Sequence, residues 1–141
     1  GTENVAALVG CGHAAELARA EMAVEAQRLR ADTEHLRTML GAVDGIVFYG
    51  AQTERLAGIL NFGIEGFGQD TLLIRLDLAG FAVSAGSACS AGAAHPSHVL
   101  RAMGLSKAEA RRAIRVSLGR FTTRADVSAF ADALRQIASE R

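Results

Sequence analysis

Within the first 43 residues, apolar side chains recur at spacings of three, four and seven, which are typical of one face of an α-helix. The apolar stripe consists of Leu17, Val24, Leu29, Leu36, Met39, Leu40 and Val43. The same stretch contains no proline and is rich in good helix formers. We therefore predict a long helix over residues 4–43, capped by Thr2 or Asn4. Because about 40 residues is long for one helix of a globular protein, we expect a break near Gly10 and Gly12.

From Gly45 onward, the helical period gives way to short apolar runs bounded by glycines and polar turns. These runs predict strands at residues 46–49, 57–64, 81–84 and 113–118. Helices are predicted at residues 72–78 and 97–103, from Ser106, and from Thr123 or Asp126 onward, the last with Val127, Phe130, Leu134 and Ile137 on one face. Asp70 and Gly80 are expected to cap the helix at 72–78, and Glu109 to complete a capping box with Ser106.

This order of elements predicts an α+β fold, in which a small mixed sheet packs mainly one face against helices. Residues 1–43 would form a long helical connector, and residues 44–141 would form a small domain. The first residues, Gly1 to Asn4, include no basic region and no initiator methionine. We therefore expect the sequence to be a fragment or a processed product.

Composition and charge narrow the classes of function. Half of the residues are apolar and 21% are charged, as in a soluble globular protein. Fifteen basic residues balance fifteen acidic ones, which argues against a nucleic-acid partner. No apolar run approaches the ~20 residues that cross a bilayer, so no membrane association is expected. The two cysteines, Cys11 and Cys89, do not make a disulfide framework and favour a reducing, cytoplasmic setting.

The segment from Ser84 to Ala94 is the strongest candidate for chemistry. It follows a predicted strand and consists of Gly, Ser and Ala around one thiol, Cys89. Long loops that hang from a firm scaffold often carry function, and an accessible cysteine thiolate is a good nucleophile. The same residue type is also common as a compact apolar side chain, so the residues alone leave both interpretations open.

A zinc site is a second interpretation of the same region. Cys89, His95 and His98 supply three suitable ligands, but a fourth is missing and the spacing matches no common structural zinc site. Two solvated histidines at a helix start explain the pattern more simply, so no metal is expected.

Two arginines, Arg115 and Arg120, flank residues 116–119 at the end of the predicted strand. Arg115 lies inside an apolar run, where a buried guanidinium needs an anion, and two parallel hydrogen bonds would suit a carboxylate. An edge arginine with its stem packed against the sheet is the alternative. Arg120 lies in the following turn, where a structural role, such as binding backbone carbonyls, is expected.

Several motifs, in order along the chain, resemble those of cysteine desulfurases. Residues 83–90, followed by residues 96–105, resemble the active-site cysteine segment of that family, and residues 114–123 resemble the signature that follows it. The start, Gly1 to Asn4, and the run at residues 59–61 also match. The long loop around Cys89 is similar to that of the NifS/IscS branch rather than to the shorter SufS loop.

The resemblance implies the C-terminal small domain of a fold-type I pyridoxal-phosphate enzyme that works as a homodimer. Its reaction would convert L-cysteine to L-alanine and leave a persulfide on Cys89. By the same carry-over, Arg115 would hold the substrate carboxylate and Thr2 would contact the cofactor phosphate in the partner subunit's site. An iron–sulfur scaffold or a sulfur-carrier protein would then accept the sulfur.

The sequence departs from the family in one large respect. Lys107 is the only lysine, and it follows a predicted helix cap, where a solvated side chain is expected. The Schiff-base lysine and the other main pyridoxal-phosphate ligands would therefore lie outside this chain. The chain would be inactive alone. The alternative is a stand-alone persulfide carrier or interaction module that has kept the loop and lost the catalysis.

Overall fold

The computed structural model describes residues 1–50, 52–85 and 96–140. Their elements are α1 (Val5–Leu40), β1 (Ile46–Tyr49), β2 (Ile59–Ile64), α2 (Gln69–Leu78), β3 (Ser84–Ala85), α3 (His98–Ala102), α4 (Lys107–Ala110), β4 (Ile114–Ser117) and α5 (Arg124–Ser139). The four strands form one sheet in the order β1-β2-β4-β3. The predicted α+β fold and the predicted order of its elements are thus confirmed.

Helix α1 runs without interruption past Gly10 and Gly12, so the expected break there is wrong. A glycine weakens a helix by about 1 kcal/mol but keeps its backbone hydrogen bond, whereas a proline would remove one. The side chain of Asn4 accepts a hydrogen bond from the amide of Ala7 at 3.1 Å, which makes Asn4 the cap.

Only the C-terminal part of α1 is covered by other described residues. Every residue before Glu21 is exposed, whereas Leu36 and Leu40 are fully buried. Val24 is 73% exposed and Leu17 is 41% exposed, so no other described residue covers the N-terminal half of the predicted stripe. A periodic pattern gives the face of a helix, but it does not give the length over which a neighbour covers that face.

Every strand pair among the described residues is antiparallel, so the expectation of a mixed sheet is wrong. Strand β3 begins at Ser84, three residues later than predicted, and its described part is Ser84–Ala85. Upstream of it, the amide of Phe81 donates to the carbonyl oxygen of Leu76 at 2.9 Å. That hydrogen bond closes α2 and leaves Phe81 outside the ladder.

The main core lies on one face of the sheet, against α1, α2 and α5. Alternate residues of the two central strands are buried there, namely Leu60, Phe62 and Ile64 on β2 and Ile114 and Val116 on β4. Helix α5 buries the predicted face, formed by Val127, Phe130, Leu134 and Ile137. The ring of Phe81 packs edge-on against Phe130, with 5.5 Å between the ring centroids. Burial of this apolar face fixes which side of the sheet remains for chemistry.

A smaller cluster covers part of the opposite face. Leu100, Ala110 and Ala113 pack there with Tyr49. The short helices α3 and α4 therefore lie across the sheet from the three longer ones.

Hydrogen bonds at the helix ends show which of the predicted caps are present. Gly80 has φ of +87° and completes the C-terminal motif of α2, as predicted. The capping box of Ser106 and Glu109 is present, and Thr123 caps α5. The expected cap at Asp70 is wrong, because α2 begins at Gln69 and has no side-chain cap.

Candidate functional site

A row of polar side chains crosses the sheet on the face opposite the main core. Tyr49 on β1 is opposite Asn61 on β2, Asn61 is opposite Arg115 on β4, and Arg115 is opposite Ser84 on β3. Side chains alternate along a strand, so these residues point away from neighbours such as Phe62, which lies in the core. One cation and three neutral polar groups therefore share one line across the sheet.

Two atoms in the middle of this row are buried and unpaired. Within the described ranges, Nε of Arg115 and Oδ1 of Asn61 have no hydrogen-bond partner and almost no solvent contact. A buried donor or acceptor without a partner costs about 1–3 kcal/mol. A fold keeps such groups where a ligand or another part of the protein completes them. The position of Arg115 thus fits the predicted binding of an anion.

Tyr49 closes one end of the row. Its hydroxyl donates to the backbone carbonyl of Glu109 at 3.5 Å, a long hydrogen bond. Burial raises the pKa of the Tyr49 phenol, and the nearby charge of Arg112 opposes this effect. The phenol is therefore neutral at physiological pH, and Arg115 is the only charged member of the row.

The other end of the row leads to the predicted nucleophile. The last described residue of β3 is Ala85, one residue after the partner of Arg115, and the chain is described again from Pro96. Cys89 falls between these points and lies outside the described residues. Ser97 is buried and accepts a hydrogen bond from the amide of Leu100, which fixes the start of α3.

The turn that follows β4 is held by Arg28 of α1. Its guanidinium donates to the backbone oxygens of Gly119, Arg120 and Thr122 at 2.9–3.2 Å. The side chain of Arg120 pairs instead with Glu21, with 2.6 Å between Nη1 and Oε2. The structural role expected for Arg120 is confirmed, but the binding of backbone carbonyls belongs to Arg28. These contacts tie α1 to the strand that carries Arg115.

Thr2 is not part of this cluster. It is exposed, precedes the first residue of α1, and is separated from the first covered position, Glu21, by 19 residues. Along a helix this separation corresponds to roughly 28 Å. Within one chain the structure therefore does not bring Thr2 near Arg115.

The zinc interpretation gains no support from the described residues. His98 is the exposed first residue of α3, and Cys89 and His95 lie outside the described ranges. No group of three or more His, Cys, Asp or Glu side chains within those ranges could hold a metal ion.

The lysine of the chain does not fit pyridoxal phosphate. Lys107 is exposed at the first position of α4, beside the capping box. A Schiff base to the cofactor needs a lysine in an enclosed site, so this residue does not supply it. No helix of the described structure is long and apolar enough to span a membrane.

Asn61 is the site residue that reasoning from the sequence missed. In the sequence, Asn61 belongs to the run at residues 59–61 that resembles the family. A signal was present, because Asn61 is the sole polar side chain in the strand sequence Ile-Leu-Asn-Phe-Gly-Ile. A polar residue inside a strand of that kind points to a partner or a ligand.

A family model and the curated relatives of this chain point to the same family. The family model described as "Aminotransferase class-V" matches residues 1–130. Cysteine desulfurase IscS of Anaeromyxobacter sp. (strain Fw109-5) is 44% identical over 128 residues, which are 90% of this chain and 31% of that protein. A cysteine desulfurase of Rhodobacter capsulatus is 39% identical over 140 residues, which are 99% of this chain and 36% of that protein.

Solved structures agree with this result. A NifS-like protein from Rickettsia africae ESF-5 superposes with a TM-score of 0.86 at 29% identity, over 99% of this chain and 36% of that one. The predicted resemblance to cysteine desulfurases of the NifS/IscS branch is confirmed. The chain spans about a third of the length of the curated relatives it matches.

Proposed function

Because the chain belongs to the aminotransferase class-V family, we propose that it is the C-terminal part of a cysteine desulfurase. Residues 1–43 would connect a cofactor-binding domain to the small domain formed by residues 44–141. The observation that carries the proposal is the unpaired, buried Nε of Arg115 beside β3, the strand that leads into the Cys89 segment.

The proposed reaction transfers sulfur from L-cysteine to Cys89. The bond between Cβ and sulfur of the substrate breaks, and a sulfur–sulfur bond to Cys89 forms. The thiol of Cys89 loses one proton, and Cβ of the product L-alanine gains one. Arg115 would bind the substrate carboxylate through two parallel hydrogen bonds.

The remaining parts of the enzyme would come from outside this chain. Pyridoxal phosphate would be held mainly by those other residues, with Thr2 contacting the phosphate in the partner subunit of a homodimer. An iron–sulfur scaffold or a sulfur-carrier protein would take the persulfide sulfur from Cys89, in the cytoplasm. The alternative of a stand-alone carrier is not favoured, because the relatives described above are named cysteine desulfurases.

The test uses the full-length protein that carries this chain. Cys89→Ser should abolish alanine production from L-cysteine while the pyridoxal absorbance is retained. Cys11→Ser is the matched control, because Cys11 is an exposed thiol on α1 and its loss should leave the rate unchanged. Undiminished alanine production by Cys89→Ser would contradict the assignment of Cys89.

A second substitution tests the carboxylate site. Arg115→Lys keeps the positive charge but cannot form the two parallel hydrogen bonds, so the KM for L-cysteine should rise by about tenfold or more. An unchanged KM would contradict the proposed role of Arg115.

A further inference from the structure

Asn61 and Arg115 form one of the more closely spaced pairs of the ladder between β2 and β4. The amide of Leu118 donates to the carbonyl oxygen of Gly58 at 2.7 Å, so residues 58 and 118 form a hydrogen-bonded pair. Such pairs alternate with non-hydrogen-bonded pairs along an antiparallel ladder. Counting inward from this pair, Asn61 and Arg115 form a non-hydrogen-bonded pair, in which the Cα atoms are only about 4.5 Å apart.

The unpaired atoms of these two residues are complementary. Nε of Arg115 carries one N–H donor, and Oδ1 of Asn61 is an acceptor. Both are shielded from water and both lack a partner among the residues that the structure describes. Directly opposite residues on one sheet face are near enough for a donor on one side chain to reach an acceptor on the other.

We infer that Asn61 is a positioning residue for Arg115, and that its Oδ1 accepts a hydrogen bond from Nε–H when the guanidinium binds a carboxylate. This inference rests on the proposed role of Arg115. A guanidinium can meet a carboxylate through its two terminal nitrogens or through Nε and one of them. Once Nε is held by Asn61, only the two terminal nitrogens remain, and the substrate carboxylate is bound in one orientation.

The experiment measures L-cysteine desulfuration by variants of the full-length enzyme. Asn61→Leu has a similar volume and no acceptor. It should raise the KM about tenfold and change kcat less than about threefold, because it disturbs binding through the guanidinium rather than the sulfur transfer. Asn61→Ala, which adds no bulk to the sheet, should give the same result where Asn61→Leu does not fold. Ser117→Ala is the control, because Ser117 is on the same face in the next non-hydrogen-bonded pair and is exposed.

A double-mutant cycle tests whether Asn61 acts through Nε. Arg115→Lys has no Nε, so adding Asn61→Leu to it should change the KM less than about threefold. Effects that multiply would mean that Asn61 touches the substrate independently, and would overturn the inference. A raised KM in Arg115→Lys together with an unchanged KM in Asn61→Leu would overturn the inference about Asn61 but not the proposed role of Arg115. An unchanged KM in Arg115→Lys would overturn the proposed role of Arg115 and this inference together.

Discussion

Arg28 and Asp32, one turn apart on α1, form an ion pair in which Nη1 donates to Oδ2 at 3.0 Å. Asp32 is only 5% exposed, and its other carboxylate oxygen is 3.0 Å from Nε of Arg124, the first residue of α5. Because Arg28 also binds the backbone of the turn after β4, Asp32 links α1 to that turn and to α5.

We predict that Asp32→Asn lowers the free energy of unfolding by about 2–3 kcal/mol, because a neutral amide replaces an acceptor shared by two guanidiniums. Urea unfolding of the chain measures this change. The matched control is Asp132→Asn, which breaks an exposed pair with Arg135 and should cost less than about 0.5 kcal/mol. Equal losses in the two variants would contradict the joining role of Asp32.

Two separate features of the backbone exclude a side chain at Gly58. Its φ is +82°, and an added Cβ would lie 2.9 Å from the carbonyl oxygen of Leu118. We predict that Gly58→Ala destabilises the fold by about 3 kcal/mol or more, because left-handed strain and a backbone overlap add together.

Two other glycines separate these causes. Gly104 has φ of +92° and open space around it, so Gly104→Ala should cost about 1–2 kcal/mol from strain alone. Gly119 is open and does not have a left-handed φ, so its alanine variant should be near neutral. The order of the three melting temperatures checks the prediction, and a Gly58 variant as stable as the Gly104 variant would contradict it.

The sequence predicted best those features that depend on neighbours a few residues away. The capping box of Ser106 and Glu109, the cap at Thr123 and the glycine end of α2 at Gly80 are local and were found. The expected cap at Asp70 was wrong because the start of α2 is placed by a tertiary contact, the hydrogen bond from the amide of Gln69 to the carbonyl oxygen of Arg111.

The site was predictable only in part, for a similar reason. Arg115 was singled out because a charge inside an apolar strand is visible in the sequence. Its relation to Asn61 depends on strand register between segments 54 residues apart, which no local pattern encodes. The burial of Asp32 was missed because Arg124, one of its two partners, lies on α5.

Tyr49 offers a spectroscopic test of the burial of its own phenol at the end of the polar row. It is the only tyrosine of the chain, which has no tryptophan, so its near-ultraviolet absorbance reports one phenol. Burial raises the pKa of that phenol, and the charge of Arg112 lowers it.

We predict that Tyr49 ionises at higher pH in the folded chain than in urea, and that Arg112→Gln raises the pKa of Tyr49 further. The unfolded phenol ionises first, so this group makes the fold less stable as pH rises above about 10. Identical titration curves in the folded chain and in urea would contradict the placement of Tyr49.

The two capping boxes make the free energy of unfolding of the chain depend on pH in the acidic range. The hydroxyl of Ser106, with its backbone amide, lowers the pKa of Glu109, and Thr123 does the same to Asp126. A carboxyl group whose pKa is lower in the folded state stabilises the fold above its unfolded pKa. That stabilisation is lost as the pH falls through the folded pKa.

We predict that the combined Glu109→Gln and Asp126→Asn variant is less stable than the parent chain at neutral pH, and that the difference shrinks below about pH 4, where the parent carboxyls also become protonated. Urea unfolding at a series of pH values measures both curves. The amides retain an oxygen that can accept from the cap, so the remaining difference reports charge rather than loss of the side chain. Parallel curves from neutral to acidic pH would show that the two carboxylates do not act through their charge.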